Sequence, residues 1–178
     1  VIGFLRWIGV MNSAVWLGGA VFFTTVTSPS LSSTAMQEAL RQPKNFPYFS
    51  SAIELALLPG YFHFLIFCAV IALFQTLAEW LYLGRPARKF SFSLLAALLG
   101  LAVFGGSILQ PRLKTLHATR FSATQPASAE TAAKSYRTWH GVLNAVNIVI
   151  IGGLVIHLWR NSNPSDNTKF ITSVKFRG

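Results

Sequence analysis

Four long runs of apolar residues, at about 7–26, 52–83, 90–109 and 139–159, are separated by segments in which polar residues dominate. A helix needs about 20 apolar residues to cross a hydrocarbon core of about 30 Å. Each run meets that length, so the pattern predicts an all-α fold, a four-helix transmembrane bundle. The first run is followed by Ser28-Pro29-Ser30 with no convincing cleavage site, and is expected to be a retained helix. Between the first two runs, residues 33–42 form a short amphipathic candidate ended by Pro43 and Pro47. The 84–89 segment reads as a tight cationic turn, and 110–138 as a polar connection whose small-residue middle, Ser122 to Ala133, is a loop or a frayed helix. The expected organisation is one four-span domain over 1–160 and a polar C-terminal tail over 161–178, mobile from 161 to 168. No repeat of solenoid length is visible, and no second domain.

Composition agrees with this pattern. Of 178 residues, 52% are apolar and only 11% charged, with mean hydropathy +0.49. Charged residues make up about 25% of ordinary soluble domains, and disorder requires low hydrophobicity with high charge. Both classes are therefore excluded. Fifteen Lys and Arg against five Asp and Glu give a formal charge of +10. These cations sit at the ends of apolar runs and no basic recognition helix appears, so they imply anionic lipid headgroups or acidic partners rather than nucleic acid. The single cysteine, Cys68, allows neither an internal disulfide nor a cysteine metal cluster.

Orientation follows Lys and Arg in short loops. Eight fall on one side and seven on the other. The dense 85–89 turn favours cytoplasmic termini, with a bacterial inner membrane or a plasma membrane as the expected setting.

A polar group in hydrocarbon needs a partner or a purpose. In the fourth run, His140, Asn144 and Asn147 fall within about 60° of one another on a helix, a single polar stripe. Gly141, Gly152 and Gly153 flank it and permit close helix approach. The second run contains Glu54, Pro59-Gly60 and His63, and proline predicts a kink near 55–59. Four-span topology brings Glu54, Arg112, Arg137 and His140 to one membrane face. An ion pair of Glu54 with Arg112 or Arg137 is expected there. Rise arithmetic places His63, Asn147 and Trp16 near one level at the bilayer centre. His63 is thus a candidate axial ligand for haem or chlorophyll, although no second histidine lies at matching depth. No cofactor is the leading expectation, and haem or chlorophyll at His63 is the alternative. Gly18-Gly19, Gly105-Gly106 and Ala96/Gly100 read as helix-packing positions. No Ser-His-Asp set, carboxylate pair or metal cluster is apparent, so catalysis is not expected.

Four patches in order carry a resemblance: Trp16-Leu17-Gly18-Gly19 with Phe22 and Phe23; Phe46-Pro47-Tyr48-Phe49; Leu109-Gln110-Pro111-Arg112; and Arg137-Thr138-Trp139-His140-Gly141 continuing to Asn144 and Asn147. Together they resemble the transmembrane protein 205-like family of small four-helix membrane proteins. That resemblance implies the bundle but no reaction. It also implies an acidic residue where this chain has Gln110, leaving Glu54 as the carboxylate nearest the arginines. From the residues themselves, the leading expectation is a non-enzymatic accessory or scaffolding subunit of a larger membrane complex. The alternatives are a small-molecule or ion carrier using the polar stripe, and a tetrapyrrole-binding subunit. Membrane lipids and other integral subunits are the expected partners.

Overall fold

The computed structural model describes residues 2–40, 46–83 and 89–163. Among them every regular element is helical: α1 (Ile2–Phe22), a π-helical segment (Phe23–Thr27), α2 (Ser28–Leu31), α3 (Thr34–Ala39), α4 (Phe46–Leu83), α5 (Lys89–Phe104), a second π-helical segment (Gly105–Leu109), α6 (Gln110–Ser122) and α7 (Pro126–Ser162). They build four apolar rods long enough to cross a membrane, 7–31, 46–81, 89–122 and 126–162. The last three reach about 50 Å or more at 1.5 Å per residue, well beyond a hydrocarbon core of about 30 Å.

In the third and fourth rods the excess length comes from the polar connection at 110–138, whose middle at 122–133, expected as loop or frayed helix, is mostly helix. Residues 110–122 and 126–138 are helical, and only 123–125 interrupt them. Both stretches are polar and sit against each other, so a helical hairpin extends the third and fourth rods into water. Pro126 occupies the first turn of α7, where its missing N–H leaves no bond unmade. The short amphipathic helix is also present, from Thr34 to Ala39. Ser33 caps it by accepting a hydrogen bond from the Met36 backbone N–H.

α4 stays α-helical through Pro59. π-helical turns occur in the first and third rods. Each π-helical segment ends two residues before a proline, Pro29 or Pro111, and in each the closing N–H reaches five residues back, Ser28 to Phe23 and Gln110 to Gly105. A wider turn relieves the clash between a proline ring and the preceding turn without breaking the helix. Tyr61 and Phe62 of α4 sit against both segments. The Tyr61 ring stacks on Phe23 at 4.0 Å, and Phe62 fills the space over Gly105 and Gly106.

This coincidence reflects a repeat that hydropathy alone does not reveal. Ala14, Leu17, Gly18, Ala20, Val21, Phe22, Pro29 and Leu31 recur 82 positions later as Ala96, Leu99, Gly100, Ala102, Val103, Phe104, Pro111 and Leu113. Burial keeps the same register: Ser13, Trp16, Ala20, Phe23 and Leu31 correspond to Leu95, Leu98, Ala102, Gly105 and Leu113. In the second and fourth rods Glu54, Tyr61, Leu65, Cys68 and Ala72 correspond likewise to Tyr136, Leu143, Asn147, Ile150 and Leu154. The bundle is therefore two helical hairpins of like design. α1 packs on α4 and α7, while α5 and α6 close the ring against the same two helices.

The core is shut at mid-depth. Leu58, Leu65 and Leu98 are buried, with Phe62, Leu143 and Asn147 at 1% exposure. The Tyr61 hydroxyl donates to Asn147 Oδ1 at 3.2 Å, satisfying the deepest amide oxygen across the bundle. Trp16 does not share this level. Its ring meets His157 edge-on at 6.4 Å, ten residues or about 15 Å along α7 from Asn147. Of the expected packing glycines, Gly19 abuts Phe64 and Gly153 abuts Leu98, whereas Gly18, Gly100, Gly141 and Gly152 face open space. Asn161, expected in a mobile tail, is helical and donates to Ser13 Oγ at 2.9 Å. The 85–88 cations and residues 164–178 lie outside the described residues.

Candidate functional site

At the hairpin end, the start of α4, the end of the first rod and the facing surfaces of α6 and α7 enclose a cavity of about 300 Å³. Glu54 stands at its base, 9% exposed. Its Oε1 accepts from Ser28 Oγ at 2.8 Å and lies 3.0 Å from His140 Nε2. This corrects the expected pairing. Among the described residues no arginine lies within 4.0 Å of the carboxylate; His140 is its partner. A one-turn relation supports that imidazole, since Asn144 Nδ2 stands 3.5 Å from His140 Nδ1.

The six residues expected to cluster therefore divide. Glu54, Arg137 and His140 line the cavity, and Asn144 touches it through His140. Asn147 lies two turns deeper than His140, engaged with Tyr61. Arg112 is exposed, with its guanidinium over the Trp139 ring at 5.9 Å, a cation–π contact in place of an acidic partner. His63 points outward and its Nδ1 sits 2.6 Å from the Pro59 carbonyl oxygen one turn back. A tetrapyrrole on His63 would lie outside the bundle, against lipid.

Sequence reasoning missed four contributors. Arg120 and Tyr136 complete the cavity wall, and Ser28 reaches Glu54 from the first rod. His117 is buried behind the wall, its Nε2 3.2 Å from the Tyr48 carbonyl oxygen. Rings of Tyr48, His117, Tyr136 and His140 follow one another at 5.2, 6.2 and 6.0 Å, tying α4 to the hairpin. The signal was available only after α6 was known to be a helix, since Arg120, His117 and Leu113 then recur on one face.

The cavity's hydrogen-bond inventory is one-sided. Ser32 Oγ donates to the Pro29 carbonyl, Ser50 to Leu31 and Ser51 to Pro47. With Ser28 donating to Glu54, the lining hydroxyls have their protons engaged. The Tyr136 hydroxyl, by contrast, is buried with no partner among the described residues. Among the described residues neither Arg120 nor Arg137 has a carboxylate in ion-pair range, and no group of three or more potential metal ligands occurs.

Residues 11–122, well over half the chain, match the family described as Domain of unknown function (DUF4149). The chain belongs to that family. The DUF4149 match runs from the first rod to the end of α6, so it contains Ser28, Glu54 and Arg120, while the fourth rod supplies Tyr136, Arg137 and His140 from beyond it. No curated protein and no solved structure matches this chain. Family membership and the four apolar rods make it an integral, multi-pass membrane protein.

Proposed function

We propose that this protein is a non-enzymatic accessory or scaffolding subunit of a larger membrane assembly, anchored by its bundle and presenting the α6–α7 hairpin to other subunits. The observation that carries this reading is the closed core. Leu58, Phe62, Leu65, Leu143 and Asn147 fill the middle of the bundle, and the deepest polar pair, Tyr61 with Asn147, is satisfied internally. Such packing leaves the protein's outer faces and its overhanging helices as the places to act. Purification from the native membrane in mild detergent tests it. A stoichiometric integral subunit is expected, and charge reversal of exposed Lys114 and Lys134 on the hairpin should release it. A protein that migrates alone, unchanged by those substitutions, would contradict the reading. A relation to the transmembrane protein 205-like family belongs to the same proposal, supported by the four ordered patches.

A second reading, a small-molecule or ion carrier, is favoured by the open cavity that Glu54, Arg137 and His140 line. It requires a path onward through the closed core, and so a large rearrangement of α4 against α7. A tetrapyrrole-binding role rests on His63 alone, and an absorption spectrum of the purified protein decides it.

A further inference from the structure

The geometry points to the cavity between α4, α6 and α7 as a binding site for a phosphate group, whose free donors are Arg120, Arg137 and the Tyr136 hydroxyl. Three observations converge. First, the charge balance of the lining is positive in either state of the imidazole. Two arginines face one carboxylate, and that carboxylate is already held by Ser28 and His140. Second, the serine hydroxyls of the wall donate to main-chain carbonyls or to Glu54, so a ligand meets hydroxyl lone pairs rather than hydroxyl protons from them. The donors left over are two guanidinium forks and one phenol. Third, Tyr136 lines the cavity and is 9% exposed, and its hydroxyl, buried just behind that lining, has no partner among the described residues. A buried hydroxyl with no hydrogen bond is costly, and that cost is removed when an acceptor arrives.

An acceptor-rich anion fits three converging donors better than a neutral molecule does, and guanidinium pairs with phosphate through two parallel bonds. The volume is at the small end for a ligand site, suited to a phosphate with a glycerol-sized substituent rather than to a nucleotide. The position is suited to a phosphate as well. The cavity opens where the apolar rods give way to the polar hairpin, the depth at which phospholipid headgroups lie. Either a lipid headgroup or a soluble phosphate ester supplies this chemistry. The site is independent of whether the bundle docks on other subunits.

The full chain, purified in an uncharged maltoside detergent and stripped of phospholipid, is the material for the test. Thermal stability and native mass spectra are followed on adding inorganic phosphate, glycerol 3-phosphate or phosphatidylglycerol, with an uncharged diacylglycerol glycolipid as the control. At least one phosphate-bearing probe is expected to bind the wild type. R120Q/R137Q should weaken it on the order of a hundredfold, and Y136F about tenfold. K89Q, which removes an exposed cation outside the cavity, should stay within about twofold, as expected for a solvent-screened charge. Binding of the lipid alone assigns a headgroup; binding of the soluble esters as well assigns a soluble phosphate ester. Y136F deletes only an unpartnered hydroxyl, so it carries the test if the double variant does not fold. The inference is overturned if no phosphate probe binds, if the glycolipid binds as well as phosphatidylglycerol, or if Y136F binds like wild type.

Discussion

Glu54 illustrates how a single ionisable residue fixes a membrane helix in place. Its partners come from two other rods, Ser28 in the first and His140 in the fourth, so the carboxylate joins three crossings at one level. Removing one partner from a buried pair leaves the other unmatched and is costlier than removing both. H140L is therefore expected to destabilise the bundle by about 2–3 kcal/mol, and E54L/H140L by less than H140L alone. Thermal unfolding of the four members of this cycle in one detergent checks the order; a double variant weaker than both singles would show that the pair contributes net attraction. Cys68 gives a second handle. It is 3% exposed, and its carbonyl accepts from Asn12 Nδ2 at 3.0 Å. It should resist a membrane-permeant maleimide in the folded protein and react on unfolding, as followed by intact mass. Rapid labelling of the native state would mean that α1 and α4 separate readily.

The π-helical segments show what sequence periodicity can and cannot convey at the scale of an element. The prolines were visible, but Pro59 leaves α4 helical while Pro29 and Pro111 are accompanied by widened turns. The difference lies in what packs there. Phe62 occupies the space over Gly105, where a Cβ would overlap its ring. G105A is expected to cost about 1–3 kcal/mol through overpacking, whereas G100A, which faces open space, should stay within about 0.5 kcal/mol. Equal melting temperatures for the two variants would remove Phe62 from the account. The four crossings themselves were legible, because 20 apolar residues in a row have few other uses. The α6–α7 hairpin was not, since a polar helix in water carries the same composition as a loop and only its packing partner distinguishes them. Topology alone brings Glu54 to the end of the bundle where Arg137 and His140 lie, but does not single out its partner. Opposite charge favoured an arginine, while the fold turned Arg112 outward onto Trp139 and His140 inward. Trp16 was misplaced in depth because the rods are longer than the membrane, which makes counting from an assumed entry point unreliable.

As a whole, the molecule is two like hairpins joined into a ring, closed in the middle and polar at both ends. At one end, Asn161 Nδ2 lies 2.9 Å from Ser13 Oγ and 3.3 Å from His157 Nε2, while Trp16 Nε1 and Arg160 Nε nearby are buried without a hydrogen-bond partner among the described residues. At the other, polar groups surround an open cavity with donors to spare. The two halves thus differ where the repeat register would have them alike. Glu54 corresponds to Tyr136 and Leu65 to Asn147, so the polar contacts across the centre are made once rather than twice. The asymmetry suits a protein that offers one face for recognition and uses the rest for anchoring.

Thiol accessibility tests whether a closed core lies beneath a cavity open to one side. On a Cys68→Ser background, single cysteines are introduced as Ser51→Cys in the cavity, Thr124→Cys at the hairpin tip, Leu65→Cys in the core and Asn161→Cys at the opposite end. Oriented vesicles are then treated with a membrane-impermeant thiol reagent from each side in turn. Positions 51 and 124 are expected to react from the same side only, 65 from neither, and 161 never from the hairpin side. Labelling at position 65, or at position 51 from both sides, would reveal a path through the bundle and would contradict the closed core.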